Sequence, residues 1–301
     1  MKPIYLLIAL FTSLQATAQS PWTKEKGQFF TNLSYSSISD YSELFGDPDF
    51  NVSGTITDRT YQFYGEYGLT NSTSLLVNIP LKSIDINNYV DPSILCQGDC
   101  SESFSETAFG NFTLGLKHNF SKKKWVLSGQ LNMEINSSSY DKSSAIRTGI
   151  DAYTFTPLFL AGTSFGKNYF QSFVGADIRT NNYSSNLKIG GEIGRKLTQN
   201  IWLIGFVDIS QSLNNSDISF PANNAANKLY VNDQEYVAYG LKGILQFYDF
   251  GLTAGFGSAL SGNNVPKKAT ISFGFLLLSK KIKILCFSYF YSLFRKSIFA
   301  F

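Results

Sequence analysis

The sequence predicts an all-β protein, a transmembrane antiparallel up-and-down β-barrel of about twelve strands. Three observations lead to this fold class. Apolar and polar residues alternate along most of the chain, the alternating runs are long, and short turns alternate with longer polar stretches.

The composition of the 301 residues excludes several other classes of protein. Aromatic and charged side chains each make up 16% of the chain, whereas soluble domains carry about 25% charged residues. The abundance of aromatic residues argues against disorder. After the first 18 positions no uninterrupted apolar run is long enough for a spanning helix. A net charge of +3 does not indicate a nucleic-acid partner.

Residues 1–18 read as a secretory signal peptide. Lys2 supplies the positive start, the apolar run Ile4–Phe11 follows, and Ala16-Thr17-Ala18 gives the small-x-small pattern of a cleavage site. We therefore expect cleavage before Gln19 and export of the remaining chain. Residues 19–279 are assigned to the barrel.

Period-two alternation is clearest between Trp125 and Asn136. Trp125, Leu131 and Ile135 fall on one face of this run, whereas Gln130 and Glu134 fall on the other. Because successive side chains of a strand point to opposite faces, this run is a strand with one apolar and one polar side.

The same alternation, in clear or weaker form, marks twelve candidate strands. They are 28–38, 57–69, 73–84, 106–120, 125–136, 150–163, 168–179, 185–197, 201–212, 234–247, 250–261 and 268–279. Strands of soluble sheets have about five or six residues, whereas membrane-spanning strands need about nine to eleven. The length of these runs therefore favours a membrane barrel over a soluble β-sandwich.

The connections between strands are short and long in alternation. Short connections that carry turn residues lie at 69–72, 121–124, 166–167, 198–200 and 248–249. Longer polar stretches lie at 39–56, 85–105, 137–149, 180–184, 213–233 and 262–267. Bacterial outer-membrane barrels have short periplasmic turns and longer external loops, and closure removes their exposed strand edges. The pattern thus predicts the bacterial outer membrane, with its lipids as partners.

Aromatic residues at the short-turn end of the strands support this placement, because Tyr and Trp favour the membrane interface. The predicted girdle comprises Phe29, Tyr67, Phe120, Trp125, Phe165, Tyr169, Trp202, Phe247 and Phe250.

Cys96 and Cys100 lie four positions apart in a polar stretch, and in an oxidising compartment this spacing favours a disulfide that closes a small loop. Two free thiols are the alternative. The C-terminal stretch 280–301 does not fit the strand pattern and is assigned to a tail of uncertain structure.

No catalytic or metal-binding constellation emerges from the sequence. The only histidine, His118, falls on the lipid-facing side and has no serine two residues on, as a Ser/His relay would need. The acidic cluster Asp40, Glu43, Asp47 and Asp49 matches no calcium-loop spacing and reads as a solvated loop. We expect no enzyme, no metal and no cofactor.

The polar faces of the strands supply the candidate functional residues. Nine charged side chains are predicted to line the lumen: Glu66, Lys117, Glu134, Asp177, Arg179, Lys188, Glu192, Asp208 and Lys242. Twelve strands lie between the small filled barrels and the wide aqueous ones. Both a narrow solute pathway and a lumen closed by ion pairs are therefore open alternatives.

The run from Gly65 to Pro80 resembles a recurring hairpin of bacterial outer-membrane proteins associated with the meta-pathway of phenol degradation. It has a strand, a Tyr-Gly-Leu-Thr turn and a second strand that ends in proline. It departs from that family at Asn71-Ser72, where members usually carry Asp-Arg, and at Leu81, where an aromatic residue is usual. The resemblance implies a porin-like barrel of the transporter type and no catalytic residues.

These observations predict an outer-membrane porin-like channel for the passive passage of small solutes, hydrophobic ones among them. The alternative is a non-conducting structural or adhesion barrel that acts through its long extracellular loops. The sequence identifies neither the solute nor the oligomeric state.

Overall fold

The computed structural model describes residues 19–91, 100–140, 146–214, 216, 218 and 234–279, all of which belong to strands, turns or irregular segments. The strands are β1 Phe29–Phe45, β2 Phe50–Gly68, β3 Thr73–Tyr89, β4 Glu102–Phe109, β5 Phe112–Lys122, β6 Val126–Ile135, β7 Thr154–Phe165, β8 Asn168–Arg179, β9 Asn186–Lys196, β10 Ile201–Ser212, β11 Glu235–Phe247, β12 Phe250–Asn263, β13 Val265–Pro266 and β14 Thr270–Ser279. Nowhere in these described parts is there a helix long and apolar enough to cross a bilayer.

The fourteen segments form twelve strands of one closed barrel. β4 and β5 both pair with β3 and are one strand interrupted at Gly110 and Asn111. β13 and β14 both pair with β1 and are likewise one interrupted strand. The barrel closes where β1 meets β14, from Phe29 opposite Ser279 to Ser37 opposite Ile271, and every pairing is antiparallel. The predicted all-β, twelve-stranded up-and-down barrel is confirmed.

The bounds of the first four strands differ from the prediction. Most of the expected loop 39–56 belongs to β1 and β2, whose connection is only residues 46–49. β3 continues to Tyr89 and β4 begins at Glu102, so the expected loop 85–105 is shorter as well. The reason is a hydrophobic cluster above the barrel, in which Tyr41 and Ile56 pack with Ile86.

The two faces of the wall differ as the alternation predicts. Large apolar side chains cover the outside, among them Leu33 at 56% exposure and Leu131 at 54%. Inward-facing neighbours such as Ser128 and Gln130 are buried. The outer face is thus a continuous apolar belt that suits the hydrocarbon layer of a membrane.

Part of the predicted aromatic girdle is wrong. Phe120 and Trp125 are exposed at the short-turn end, as expected, but Tyr169 and Trp202 are 5% and 3% exposed and lie inside the barrel. Their strand neighbours Phe170 and Leu203 take the outward positions. Parity along the strand, rather than distance from the turn, decides which aromatic side chains reach lipid.

Several predictions fall outside the described residues. They concern the signal peptide 1–18, the tail 280–301 and the proposed Cys96–Cys100 disulfide, since Cys96 is not described. The division into leader, barrel and tail stays a prediction.

The barrel lumen as candidate functional site

Residues 19–26 precede β1 and enter the lumen from the short-turn end. Ser20, Pro21, Thr23 and Lys24 are all buried there. Because this segment belongs to no strand, side chains of the wall rather than a ladder hold it in place. We call residues 19–26 the inner segment.

The wall side chains that hold the inner segment come from β5 and β6. The Lys117 ammonium donates to the Ser20 carbonyl oxygen at 3.0 Å. The Asn119 amide donates to the Pro21 carbonyl oxygen at 2.6 Å, and the Ser128 hydroxyl donates to the same oxygen. These bonds satisfy carbonyl groups that would otherwise be buried without partners.

Aromatic rings close the lumen around the inner segment. The Trp22 and Tyr169 ring centroids are 6.2 Å apart in an edge-to-face arrangement, and the Tyr169 and Trp202 centroids are 5.9 Å apart. Trp22 packs against a buried cluster that includes Phe30, Tyr64, Ile204 and Ile244. Apolar packing therefore seals the short-turn end around the polar contacts.

A buried ion pair lies beside the inner segment. The Lys117 Nζ and Glu66 Oε1 atoms are 3.0 Å apart, and neither side chain is more than 3% exposed. Lys24 lies close to this pair, with its Nζ 5.1 Å from the Phe30 ring centroid. Burial lowers the pKa of Lys24 to about 8; nearby Glu66 opposes this shift and Lys117 adds to it.

A second ion pair lies at the middle of the barrel. The Lys242 Nζ and Glu192 Oε2 atoms are 3.3 Å apart, and the Tyr169 hydroxyl donates to Glu192 at 2.6 Å. This carboxylate thus connects the aromatic cluster below to the wider lumen above.

The remaining predicted charges form a group nearer the long-loop end. Arg179 and Asp177 are 3.1 Å apart, and Lys188 and Asp208 are 3.9 Å apart. Glu134 accepts a hydrogen bond from the Asn111 amide at 2.8 Å. The nine candidates therefore lie within the barrel at three heights. Their role as solute contacts stays a prediction.

Sequence reasoning missed the inner segment and a further lumen pair. Lys82 and Asp58 are 3.4 Å apart on neighbouring strands β3 and β2. The inner segment has no alternation that could mark it. The only local signal is Pro21-Trp22, an apolar pair placed between the leader and the first strand.

A cavity of about 440 Å³ lies above the inner segment, with Gln19 in its lining. Its inner surface is amphipathic, because it combines Phe173 and Phe206 with the charged Asp208 and Lys242. A neighbouring cavity of about 290 Å³ shares lining residues with it, namely Ser36, Ile38, Pro266 and Thr270. These spaces are compartments of one lumen.

The wall beside the larger cavity has a gap. The ladder between β12 and β14 ends at Gly257 opposite Thr270. Beyond it, the returning chain bonds to β1 instead: Asn264 N–H donates to Phe45, and Lys267 N–H donates to Glu43. Residues 258–263 of β12 therefore keep a described ladder partner on the β11 side only.

The cavity reaches the outer face of the wall at this place. Its lining includes Val207, Tyr239 and Phe256, which are each more than 40% exposed and lie on the lipid-facing side. Ser258 and Lys268, which flank the gap, belong to the same lining. The lumen is thus connected sideways to the level of the apolar belt.

The two sites considered for other chemistry have simple surroundings. His118 Nδ1 lies 2.9 Å from the Thr73 hydroxyl at an exposed position, and its ring contacts Phe120. In the acidic hairpin, Glu43 and Asp49 accept hydrogen bonds from Lys267 Nζ at 2.8 and 2.6 Å. Within the described residues no three acidic, histidine or cysteine side chains are grouped to hold a metal ion.

The sequence matches one family model. The family is described as "Putative MetA-pathway of phenol degradation", and its model matches residues 18–275. This range covers the inner segment and nearly the whole barrel. No curated protein sequence matches the chain.

Solved structures share the fold at low sequence identity. An outer-membrane channel from Pseudomonas putida is 12% identical with a TM-score of 0.65, over 89% of this chain and 100% of that one. The NanC porin is 6% identical with a TM-score of 0.48, over 83% and 98% of the two chains. The toluene transporter TodX from Pseudomonas putida is 9% identical with a TM-score of 0.43, over 86% and 90%.

Proposed function

The chain belongs to the family described as the MetA pathway of phenol degradation, and from that premise we propose that it is an outer-membrane channel for the passive passage of small hydrophobic solutes. The observation that carries this proposal is the amphipathic cavity and its connection through the wall at β12.

The position of the gap favours hydrophobic solutes over hydrophilic ones. A hydrophobic molecule concentrates in the apolar layer that surrounds the belt, because burial of apolar surface is favourable by about 25 cal/mol per Å². From there the gap leads directly to the cavity with Phe173 and Phe206. A hydrophilic solute has no comparable reason to collect at this side of the wall.

The volume and the lining of the cavity fit a small amphipathic guest. Ligand sites of about 300–1,000 Å³ combine apolar walls with a few polar groups, and the cavity of about 440 Å³ lies within that range. Asp208 and Lys242 provide polar contacts inside it, and Lys268 provides one beside the gap. The nine lumen charges are proposed to set selectivity among the solutes that enter.

A non-conducting barrel is the second candidate, and one observation favours it. The inner segment and its aromatic cluster occupy the lumen at the short-turn end, so the straight path through the barrel is obstructed. In that case the hydrophobic cluster above the barrel and its loops would carry the function.

A variant that fills the gap separates the two candidates. Ala259 lines the cavity, whereas the next residue, Leu260, is 64% exposed outside the cavity lining. We expect Ala259→Trp to remove most of the flux of a small hydrophobic dye into proteoliposomes, because the indole ring would occupy the passage. Leu260→Trp is the matched control and should leave the flux unchanged. Equal flux in both variants would contradict the lateral route, and no flux in the unmodified protein would favour the non-conducting barrel.

A further inference from the structure

We propose that the wall around the inner segment is a peptide-binding site, and that residues 19–26 are its detachable ligand. The site is expected to take the same extended peptide when it is supplied as a separate molecule. This inference concerns the short-turn end and does not depend on which solutes the cavity accepts.

The wall recognises mainly the backbone of the inner segment. Lys117, Asn119 and Ser128 donate to the carbonyl oxygens of Ser20 and Pro21. The backbone N–H of Thr23 donates to the Asn119 side chain at 3.3 Å, and that of Lys24 donates to the Ser74 hydroxyl at 2.8 Å. Side chains that bond successive backbone groups of an extended chain are a means of binding a peptide.

The shape of the wall is adapted to the same segment. A Cβ atom on Gly162 would lie 2.7 Å from Pro21 Cγ and 2.8 Å from Trp22 Cη2. A Cβ atom on Gly68 would collide with the Glu25 carbonyl oxygen. Two glycines thus leave room for the inner segment, and Trp22 gives it an apolar anchor against Tyr169. An aromatic anchor in a fitted pocket is where binding energy concentrates.

The inner segment is separable from the barrel. The barrel closes through the β1–β14 ladder, in which residues 19–26 take no part. Without the segment, Lys117 keeps its ion pair with Glu66, and the Asn119 and Ser128 side chains can bond to water in the opened lumen. No ladder has to break for the segment to leave.

A hinge joins the inner segment to the first strand. Gly27 has a φ of +80°, and nothing lies within 4 Å of the position of a Cβ atom on it. Glycine adopts this left-handed conformation without a steric penalty. Glu25 and Lys26 beside it are exposed, so the connection lies at the surface of the short-turn end.

The experiment starts from the folded full chain. A protease recognition site is inserted between Lys26 and Gly27, the protein is folded intact, and the connection is then cut. Single-channel conductance is recorded before cutting, after cutting and washing, and after addition of the synthetic peptide QSPWTKEK. We expect the conductance to rise after washing and to fall again, saturably, when the peptide is added to the short-turn side.

Two controls make the result specific to the site. A peptide of the same composition in scrambled order should not lower the conductance. Asn119→Ala removes hydrogen bonds to Pro21 and Thr23 and should weaken peptide binding about tenfold. Asn168→Ala, at the short-turn end but away from the inner segment, should not change peptide binding.

Three results would overturn the proposal. The cut segment could stay in place through washing and fail to exchange with a labelled copy of the peptide, which would make it a fixed part of the fold. It could leave without any change in conductance. The emptied barrel could also bind the scrambled peptide equally well, and then no recognition site exists. A peptide that binds without altering dye flux would leave this proposal intact and bear only on the lateral route.

Discussion

Single buried charges set the properties of the inner segment. Lys24 is 4% exposed and lies next to a carboxylate, Glu66, and another ammonium group, Lys117. Its surroundings are therefore unfavourable to a proton on Lys24, mainly because the site removes the ammonium group from water. An exposed lysine at the same place would have no such effect.

The position of Lys24 predicts a pH dependence of peptide binding. Seating of the inner segment lowers the pKa of Lys24 from its ordinary 10.5 to about 8, so the seated form binds fewer protons between these two values. Raising the pH through this window therefore strengthens binding, and below about pH 8 the effect disappears. For the cut protein we expect the affinity for QSPWTKEK to rise about tenfold between pH 7 and pH 9.

The control for this prediction is a peptide with methionine in place of Lys24. Its affinity, measured by titration calorimetry over the same range, should be nearly independent of pH. If both peptides respond equally, another group is responsible, and the groups that face Lys24 from β2 and β5, Glu66 and Lys117, are the next to test.

At the level of elements, glycines of one strand make room for aromatic rings of the next. A Cβ atom on Gly190 would lie 2.5 Å from Phe173 Cζ, and one on Gly240 would collide with the Phe206 ring. The two rings thereby lie against the wall and leave the cavity open. Strand glycines in a barrel commonly mark such close approaches.

We expect Gly240→Ala to displace Phe206 toward the cavity. Overpacking of this kind costs about 1–3 kcal/mol of unfolding free energy, and the displaced ring should also reduce dye flux. Gly243 on the same strand is the matched control, because the nearest atom to its Cβ position, the Ala254 carbonyl oxygen, is 3.9 Å away. Urea unfolding in vesicles measures the stability of both variants. Equal losses would show that Phe206 is free to move elsewhere.

Period two predicted which segments become strands and which way most side chains point, because both depend only on local alternation. It could not predict that 39–56 forms strands. This stretch is rich in polar and turn residues, and its strand structure depends on the packing of Tyr41 and Ile56 against Ile86. That contact joins segments about 30 to 45 residues apart, which no local pattern reports.

The candidate site was predictable in part for the same reason. Parity identified charged positions such as Lys117 and Lys242, since it depends only on the neighbouring residues. It did not identify their partners Glu66 and Glu192, because pairing depends on the register between strands. The inner segment has neither alternation nor a strand, and its place in the lumen follows from tertiary contacts alone.

At the scale of the whole molecule, the lumen charges nearly balance. The nine predicted residues comprise five acids and four bases, and most are paired with a neighbour. A balanced lumen should discriminate weakly between small anions and cations, since selectivity follows from the charge that lines the passage. Any single reversal of charge should therefore be visible in the ion preference.

Lys242 is the residue at which this expectation is sharpest. It lines the cavity, and its replacement by an acid would place a second carboxylate beside Glu192. We expect Lys242→Glu to shift the reversal potential in a KCl gradient toward cation preference, because the local charge changes by two units and is screened little inside the barrel. Lys124→Glu makes the same change of charge in the short turn before β6, where solvent screens it, and should shift the potential far less. Equal shifts would mean that ions respond to the surface charge of the short-turn end rather than to the lumen, and the conducting path would then not pass Lys242.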